Sequence, residues 1–486
     1  MKLIILNMRT TILTLIAFVF IPFTGWAQKK WNLKSIVEYA MANNLSVKQT
    51  SLQSENAAIN YKQSKLSQYP NANFSMSGSV NSGSNQDPTT FNRITETYLS
   101  SGLQLQSSAD IFNFYSKKNT IAANSWELMA AKANIAKVSN DIALSAANAY
   151  LQVLLAMEQT KITAVQLQQS QAQLNTIRKQ VNAGALPELN ASQLEAQVAS
   201  DSFNYISAKA GVEQNILNLK ALMNIDAAAP FEVETPPVEQ IPVEAIADLQ
   251  PENVYQQALT NQPQQQYNEF KLKAAQKSAA SSKASMYPTL SAFGSLGSGY
   301  NNRYQTLTGV NSIVGPDKPI GTVTVSGNPY TVYAPSIVNT PIYSKSGFGS
   351  QLSDNFRQSI GLSVSVPIFS GGSLRSNYER SKVNIRSLQV QKEADNQKLK
   401  QDIYTAYNAA VVALEKYNAS KKTVEANEKA LGFAQKRFEV GMLGTYDYLT
   451  TQNNLLKAKL EFALNRFDYV FKMKVLEFYK GLGLKL

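Results

Sequence analysis

The side chains that most often do chemistry in proteins are missing here: the 486 residues include no histidine and no cysteine. That removes imidazole acid–base catalysis, thiol nucleophiles, disulfides and most zinc sites together. Carboxylates remain, 34 of them against 46 lysines and arginines. Carboxylate-only catalysis needs two acids held in one compact constellation, and no such grouping stands out along the chain. No nucleotide-binding motif and no cofactor motif is present either. The residues that do recur at regular spacing are small neutral polar ones, and their chemistry is to wet a wall rather than to break a bond.

They recur in four alternating segments. Ala72, Phe74, Met76, Gly78 and Val80 interleave with Asn71, Asn73, Ser75, Ser77 and Ser79. Leu99, Ser101, Leu103 and Leu105 interleave with Ser100, Gly102, Gln104 and Gln106. After Pro288 a weaker segment sets Leu290, Ala292 and Leu296 against Ser291, Phe293 and Ser295. The fourth sets Ile360, Leu362, Val364, Val366 and Ile368 against Ser359, Gly361, Ser363 and Ser365. Period-two alternation means a strand with one apolar and one polar face. Strands of about 10 residues match a tilted bilayer crossing. The alternative is an ordinary half-buried sheet. Against it, the polar faces carry almost no charge and suit the wall of a wet lumen. Four strands cannot close a barrel, and an open edge is excluded from lipid. Two chains would give eight strands with a side-chain-filled interior. Three would give twelve and a bore, so an oligomer of three or more is expected if the lumen is open.

The chain repeats itself. Ser64-Lys65-Leu66-Ser67-Gln68-Tyr69-Pro70 recurs as Ser282-Lys283-Ala284-Ser285-Met286-Tyr287-Pro288, a shift from Ser64 to Ser282 that also relates Ala40–Leu45 to Ala258–Pro263. Further on, a second constant shift relates Ile111-Phe112 to Ile368-Phe369, Ala149-Tyr150 to Ala406-Tyr407, and Gly184 to Gly441. Only the stretch between the two registers changed length, which marks a surface loop. The expected organisation is a first repeat over 28–223, a linker over 224–251, and a second repeat over 252–486 carrying a surface loop at 301–357. Each repeat reads as helix, two strands, long helix, returning helix.

Between Tyr115 and Gly184 there is no proline and no glycine, and the same holds from Asn377 to Leu431. Each stretch reads as one helix of about 65–70 residues, roughly 100 Å long. Returning helices are expected over Leu189 to Met223 and Tyr446 to Lys480. Each repeat should also open with a helix of about 35 residues, ending near Tyr69 or Tyr287. Leu167, Leu174, Ile177 and Val181 follow coiled-coil spacing, as do their mates Val424, Leu431, Ala434 and Phe438. Every seventh residue is apolar in both returning helices: Val198, Tyr205, Val212, Leu219, and Leu455, Phe462, Tyr469, Leu476. Sevenfold spacing holds one seam against a partner helix. Gly184 and Gly441 mark the reversals. Pro70 and Pro288 lead into strands, and Pro367, Gly371 and Gly372 lead out of one.

The N-terminus sets the compartment. Lys2 and Arg9 precede an apolar run from Ile12 to Phe23, and Gly25-Trp26-Ala27 supplies small residues at the positions a signal peptidase reads. Residues 1–27 therefore read as a signal peptide cut between Ala27 and Gln28. An N-terminal anchor is the alternative, although the run is shorter than a spanning helix needs. The net charge of +12 falls to +10 without Lys2 and Arg9. A basic balance can serve nucleic acid. Here the cations are dispersed along helical stretches among Glu and Asp, as on a solvated helix surface.

At this point the chain resembles the TolC-like outer-membrane efflux protein family. The resemblance covers essentially the whole mature chain. Its most specific pieces are Val366-Pro367-Ile368-Phe369-Ser370-Gly371-Gly372, the Phe438–Gln452 segment, and Asn261-Gln262-Pro263. Asp110–Asn113 and Ala183–Pro187 are weaker first-half copies. The resemblance implies a mainly α homotrimer whose twelve-stranded transmembrane β-barrel, four strands per chain, is continued by a coiled-coil tunnel. It implies an outer-membrane channel of a tripartite efflux or type I secretion system. The expected partners are outer-membrane lipid, a periplasmic adaptor and an inner-membrane pump of RND, ABC or MFS type. It implies no cofactor, and no nucleic-acid partner is expected. The adaptor would engage the tips near Gly184-Ala185-Leu186 and Gly441-Met442-Leu443. In the best-known members a Tyr, an Arg and acids lock the periplasmic entrance. Here Phe438 stands for the Tyr and Leu443 for the Arg. Asp447 fits one acidic position, while Thr450 and Asn190 stand where acids would be. Closure is accordingly expected to rest on apolar packing of Phe438 and Leu443.

Residues 84–97 should form a short surface loop. Within 301–357, Thr322–Val325 and Tyr330–Tyr333 flank Ser326-Gly327-Asn328, which predicts a hairpin. That loop suits a shield, a plug or a receptor surface. A passive conduit is the main reading. A periplasmic coiled-coil scaffold or adhesin stalk is the structural alternative, and it predicts no bilayer insertion.

Overall fold

The computed structural model describes residues 30–86, 91–235 and 244–481. The signal-peptide reading, with its Ala27–Gln28 cleavage, lies outside them. The chain divides into two compact units. One is helical and draws on residues 30–59, 125–274 and 385–481; the other holds the strands and draws on 60–124 and 275–384.

In the helical unit, α1 (Leu33–Asn43) and α2 (Leu45–Leu66) replace the single opening helix expected for the first repeat. The break at Asn44 joins a local cap to one distant contact. Its Oδ1 accepts from Ser46 N at 2.8 Å and its Nδ2 donates to Leu222 O at 2.8 Å. The long helix α3 spans Ser116–Asn182 and the returning helix α4 spans Glu188–Met223. The second repeat opens with α5 (Pro251–Asn261) and α6 (Pro263–Ala284). Pro263 disfavours helix at the preceding residue. Gln262 uses the break to donate to Tyr479 O at 3.1 Å. Asn44 and Gln262 are repeat mates, as are the carbonyls they reach, so the duplication survives in the hydrogen bonding.

The linker begins by folding back. Asn224 ends α4 in the left-handed region at φ 55°. The buried Lys220 ammonium then donates to the carbonyls of Ala227 and Ala229 at 2.8 and 2.5 Å. Val233 pairs with Trp31, whose ring stacks on Phe231 at 5.6 Å. Tyr150 donates to Glu234 O at 2.8 Å, and burial pushes its phenol pKa up. This segment lies over a core of Ile36, Tyr150, Val153, Leu219 and Met223.

The strand unit holds a four-stranded antiparallel sheet in the order β1 (Asn71–Gln86), β2 (Arg93–Phe112), β3 (Thr289–Asn301), β8 (Arg357–Ser365). β1 and β8 are the outer strands of this sheet. Pro70 and Pro288 immediately precede β1 and β3. Pro367 follows β8, and Gly371 and Gly372 turn at φ 60° and 73° into α8 (Ser373–Glu439). α8 runs through Gly432 without a break, although a mid-helix glycine costs about 1 kcal/mol. The last helix, α9, spans Thr445–Tyr479.

Residues 301–357 carry four strands and a short helix of their own, where one hairpin was expected. β4 (Gln305–Val314) pairs with β7 (Ile337–Lys345), and β5 (Lys318–Val325) pairs with β6 (Asn328–Ala334). Ser326 and Gly327 turn the inner hairpin at φ 52° and 87°, both positive as a type I′ turn requires. A short helix, α7 (Phe348–Asp354), then fills the ladder positions that β8 leaves open beside β3. Asn301 N donates to Gln351 Oε1 at 2.8 Å, and Asn355 Nδ2 donates to Gly299 O at 2.9 Å. Gln351 is fully buried and also donates to Ser346 O at 2.9 Å. Gln351→Ala strands both groups, at about 1–3 kcal/mol. We expect trypsin cleavage after Lys345 on intact cells to rise about tenfold; unchanged cleavage would assign the clamp to other contacts.

Candidate functional site

The strand register decides what each face of the sheet does, because cross-strand partners share a face. Phe74, Leu105 and Leu296 form one such row, Met76 and Leu103 a second, and Val80 and Leu99 a third. Across β3 and β8, Ala292 pairs with Leu362 and Leu290 with Val364. One face is thus an apolar band across all four strands. Its side chains are open to the surroundings, Ile360 at 93% and Met76 at 71%. A band this exposed is not a core face; it needs an apolar solvent. Each such side chain covered by lipid contributes about 1.5–3 kcal/mol relative to water.

The opposite face is a hydroxyl and amide ladder. Ser79 and Ser100 meet at 2.8 Å, Ser295 and Ser359 at 2.8 Å, and Ser291 donates to Asp110 Oδ1 at 2.9 Å. Asp110 is paired with Lys117 at 3.0 Å, so its charge is answered locally. Phe293 lies across Gly361, where an added Cβ would meet its ring at 2.7 Å. Among the described residues no helix is long and apolar enough to cross a membrane. The strands are therefore the elements suited to lipid. In lipid the outer strands β1 and β8 must be paired along their outer edges.

At the other candidate site, Gly184 and Gly441 reverse the chain at φ 75° and 72°. Ala185 and Met442 are exposed, and Leu186 and Leu443 are half-buried. The two hairpins are joined by an apolar cluster: Ile177 of α3, Leu194 of α4 and Leu449 of α9 are buried, with Leu174, Val181, Leu186 and Phe438 against them. Phe438 is thereby brought to the first hairpin. Leu443 is not in that cluster, Asp447 lies exposed on the first turn of α9, and Asn190 is half-buried on the first turn of α4.

Sequence reasoning missed three features here. Phe438 stacks on Tyr448 with centroids 4.6 Å apart. Burial pushes the Tyr448 phenol pKa up, a hydrogen bond with Gln173 opposes this, and Glu439 adds to the rise. Arg178 is paired with Glu188 and, at 2.8 Å, with Glu195; these bonds stay within the first hairpin. Above the apolar cluster runs an amide ladder. Gln166 donates to Asn453 at 3.0 Å, Gln173 to Gln452 at 2.9 Å, Gln452 to Gln169 at 3.0 Å, and Asn453 to Gln197 at 3.3 Å. The available signal was the pair Gln166 and Gln173, seven apart beside Leu167 and Leu174.

Comparison with known proteins agrees with this geometry. The family described as Outer membrane efflux protein matches residues 36–224 and 254–472. The chain belongs to the outer membrane efflux protein family. Among its relatives is the toluene efflux pump outer membrane protein TtgC of Pseudomonas putida, 22% identical over 94% of this chain and 84% of that one. The outer membrane protein TolC of Escherichia coli is 28% identical over 25% of each chain. Crystal structures of CusC align at a TM-score of 0.73 with 17% identity, covering 96% of each chain. The Campylobacter jejuni CmeC outer membrane channel aligns at 0.71 with 18% identity, covering 93% of this chain and 87% of that one. The fold is therefore mainly α with a transmembrane β-barrel, to which this chain gives four strands. The protein's place is the outer membrane, and its family is one of efflux proteins.

Proposed function

We propose that this outer membrane efflux protein acts as a passive conduit, closed at its helical tips and opened there by an adaptor. The observation that carries the reading is the sheet with one largely exposed apolar face and one hydroxyl-rich face on which Asp110 is paired with Lys117. Such a sheet suits a barrel wall between lipid and water. The hairpin reversals at Gly184-Ala185-Leu186 and Gly441-Met442-Leu443 offer exposed surface for a periplasmic adaptor. An inner-membrane pump of the RND, ABC or MFS type supplies energy and cargo choice. Phe438 belongs to the gate, with Leu443 and Asp447 near it in sequence and Asn190 on the first turn of α4, and the gate opens as the adaptor selects separated hairpins. Purified trimer in a planar bilayer tests the reading. It should insert and pass a small, mostly closed current. A stalk without pore activity passes none, and that result would remove the conduit.

A further inference from the structure

The β4–β7 and β5–β6 ribbon has a surface that conflicts with its surroundings. A two-stranded ribbon in water is marginal on its own, and among the described residues β4–β7 and β5–β6 are each two-stranded. Nevertheless the ribbon presents Val310, Ile313, Val314, Ile337, Val338 and Ile342 to the outside. The register sorts the inner hairpin further. Val323 pairs with Tyr330, Gly321 with Val332 and Val325 with Asn328 on one face. Thr322 pairs with Thr331 and Thr324 with Pro329 on the other, which also carries Tyr333, paired with Pro319 past the register shift. The first face is apolar and exposed, Val323 at 47%, Val325 at 53% and Tyr330 at 57%.

Charge narrows the occupant. Between Gln305 and Lys345 the charged residues are Asp317, Lys318 and Lys345 alone. An anionic lipid surface is recruited by clusters of Lys and Arg, which the ribbon lacks. Identical copies, by contrast, meet here without like-charge repulsion. The ribbon also lies in sequence between β3 and β8, and β8 is the edge at which the next copy joins. Three ribbons thus rise around one mouth. Twelve strands spaced about 4.8 Å and tilted about 40° enclose a mouth roughly 24 Å wide. The 10 residues of β4 extend about 34 Å, enough to reach across. Tethering at that spacing gives millimolar effective concentrations, so weak apolar contacts suffice.

We propose that the Val323–Val325–Tyr330–Val332 faces of the three β5–β6 hairpins meet one another above the channel mouth, so that the trimer carries a cover made of its own chains. The proposal rests on the trimeric barrel. It adds an apolar self-contact within the strand unit.

The protein has no cysteine, so a single introduced thiol reports on its own position. Val323→Cys, oxidised on intact cells with copper phenanthroline, should give a cross-linked dimer of this chain on non-reducing gels. Thr324→Cys, one residue along and on the other face, should cross-link at least tenfold less. Unheated, reduced samples run in parallel show whether the trimer stands. An intact trimer with no Val323→Cys dimer overturns the cover, and so does equal cross-linking from both faces. A Val323→Cys adduct to a different polypeptide also overturns it and names a foreign partner instead. Loss of the trimer in the parent chain overturns the underlying barrel reading rather than the cover alone.

Discussion

Ile360→Arg should abolish the heat-modifiable trimer and leave the chain out of the outer-membrane fraction, whereas Ser359→Arg should leave the trimer in place. The two positions are neighbours on β8, and their side chains leave opposite faces of the sheet. Ile360 is 93% exposed on the apolar band. Ser359 meets Ser295 at 2.8 Å on the hydroxyl face. An arginine on the lipid face near the bilayer midplane costs about 2–4 kcal/mol, and in a symmetric trimer it is met three times, for roughly 6–12 kcal/mol. That is comparable with the whole stability of a domain. At Ser359 the cost is one exposed hydroxyl contact, and the guanidinium remains in water. Its expected signature is a shift of the pore toward anions, read as reversal potential in a salt gradient. Equal loss of trimer from both variants would mean that the sheet has no lipid side.

The four strands were legible because strict alternation has one structural meaning. Phe74, Met76 and Val80 against Ser75, Ser77 and Ser79 could not be rearranged into a helical stripe. The long helices were legible for the opposite reason, since nothing between Tyr115 and Gly184 could stop one. What stayed hidden was decided by distant partners. At the helix break Asn44 reaches a carbonyl at Leu222, a separation of 178 residues. The β4–β7 pair carries apolar residues on both faces and a register shift between Leu307 and Gly309, so its period is blurred. A Gly- and Pro-rich stretch therefore read as loop with one hairpin inside it. At the tips, Phe438 was visible as a seam residue. Its stacking partner Tyr448 sits on the next helix, and no spacing rule connects the two.

The same distinction sharpens the gate. In the gate proposed above, opening separates the hairpins, so contacts that join them within the chain oppose it. Arg178 with Glu188 and Glu195 does not qualify, because all three belong to the first hairpin. The amides of Gln166, Gln173, Gln452 and Asn453 do join the hairpins, and exchanging each amide–amide bond for bonds to water costs only about 0.5–1.5 kcal/mol. The apolar cluster around Ile177, Leu194 and Leu449 is the stronger link, and Phe438 is the member contributed by α8. Truncating this half-buried ring removes its stack on Tyr448 and its share of the cluster, about 2 kcal/mol by comparison with the 3–5 kcal/mol of a fully buried Phe→Ala change. That favours the separated hairpins about 30-fold. Single-channel recording of Phe438→Ala should show open probability rising by about that factor at unchanged open conductance. Phe438→Tyr should stay near the parent. Leu443→Ala should change open probability by less than about threefold, since Leu443 lies outside the cluster and a partly exposed leucine loses little. A Phe438→Ala channel as closed as the parent would remove apolar packing as the basis of closure. It would return that role to the amide ladder, where Gln173→Ala is the corresponding variant.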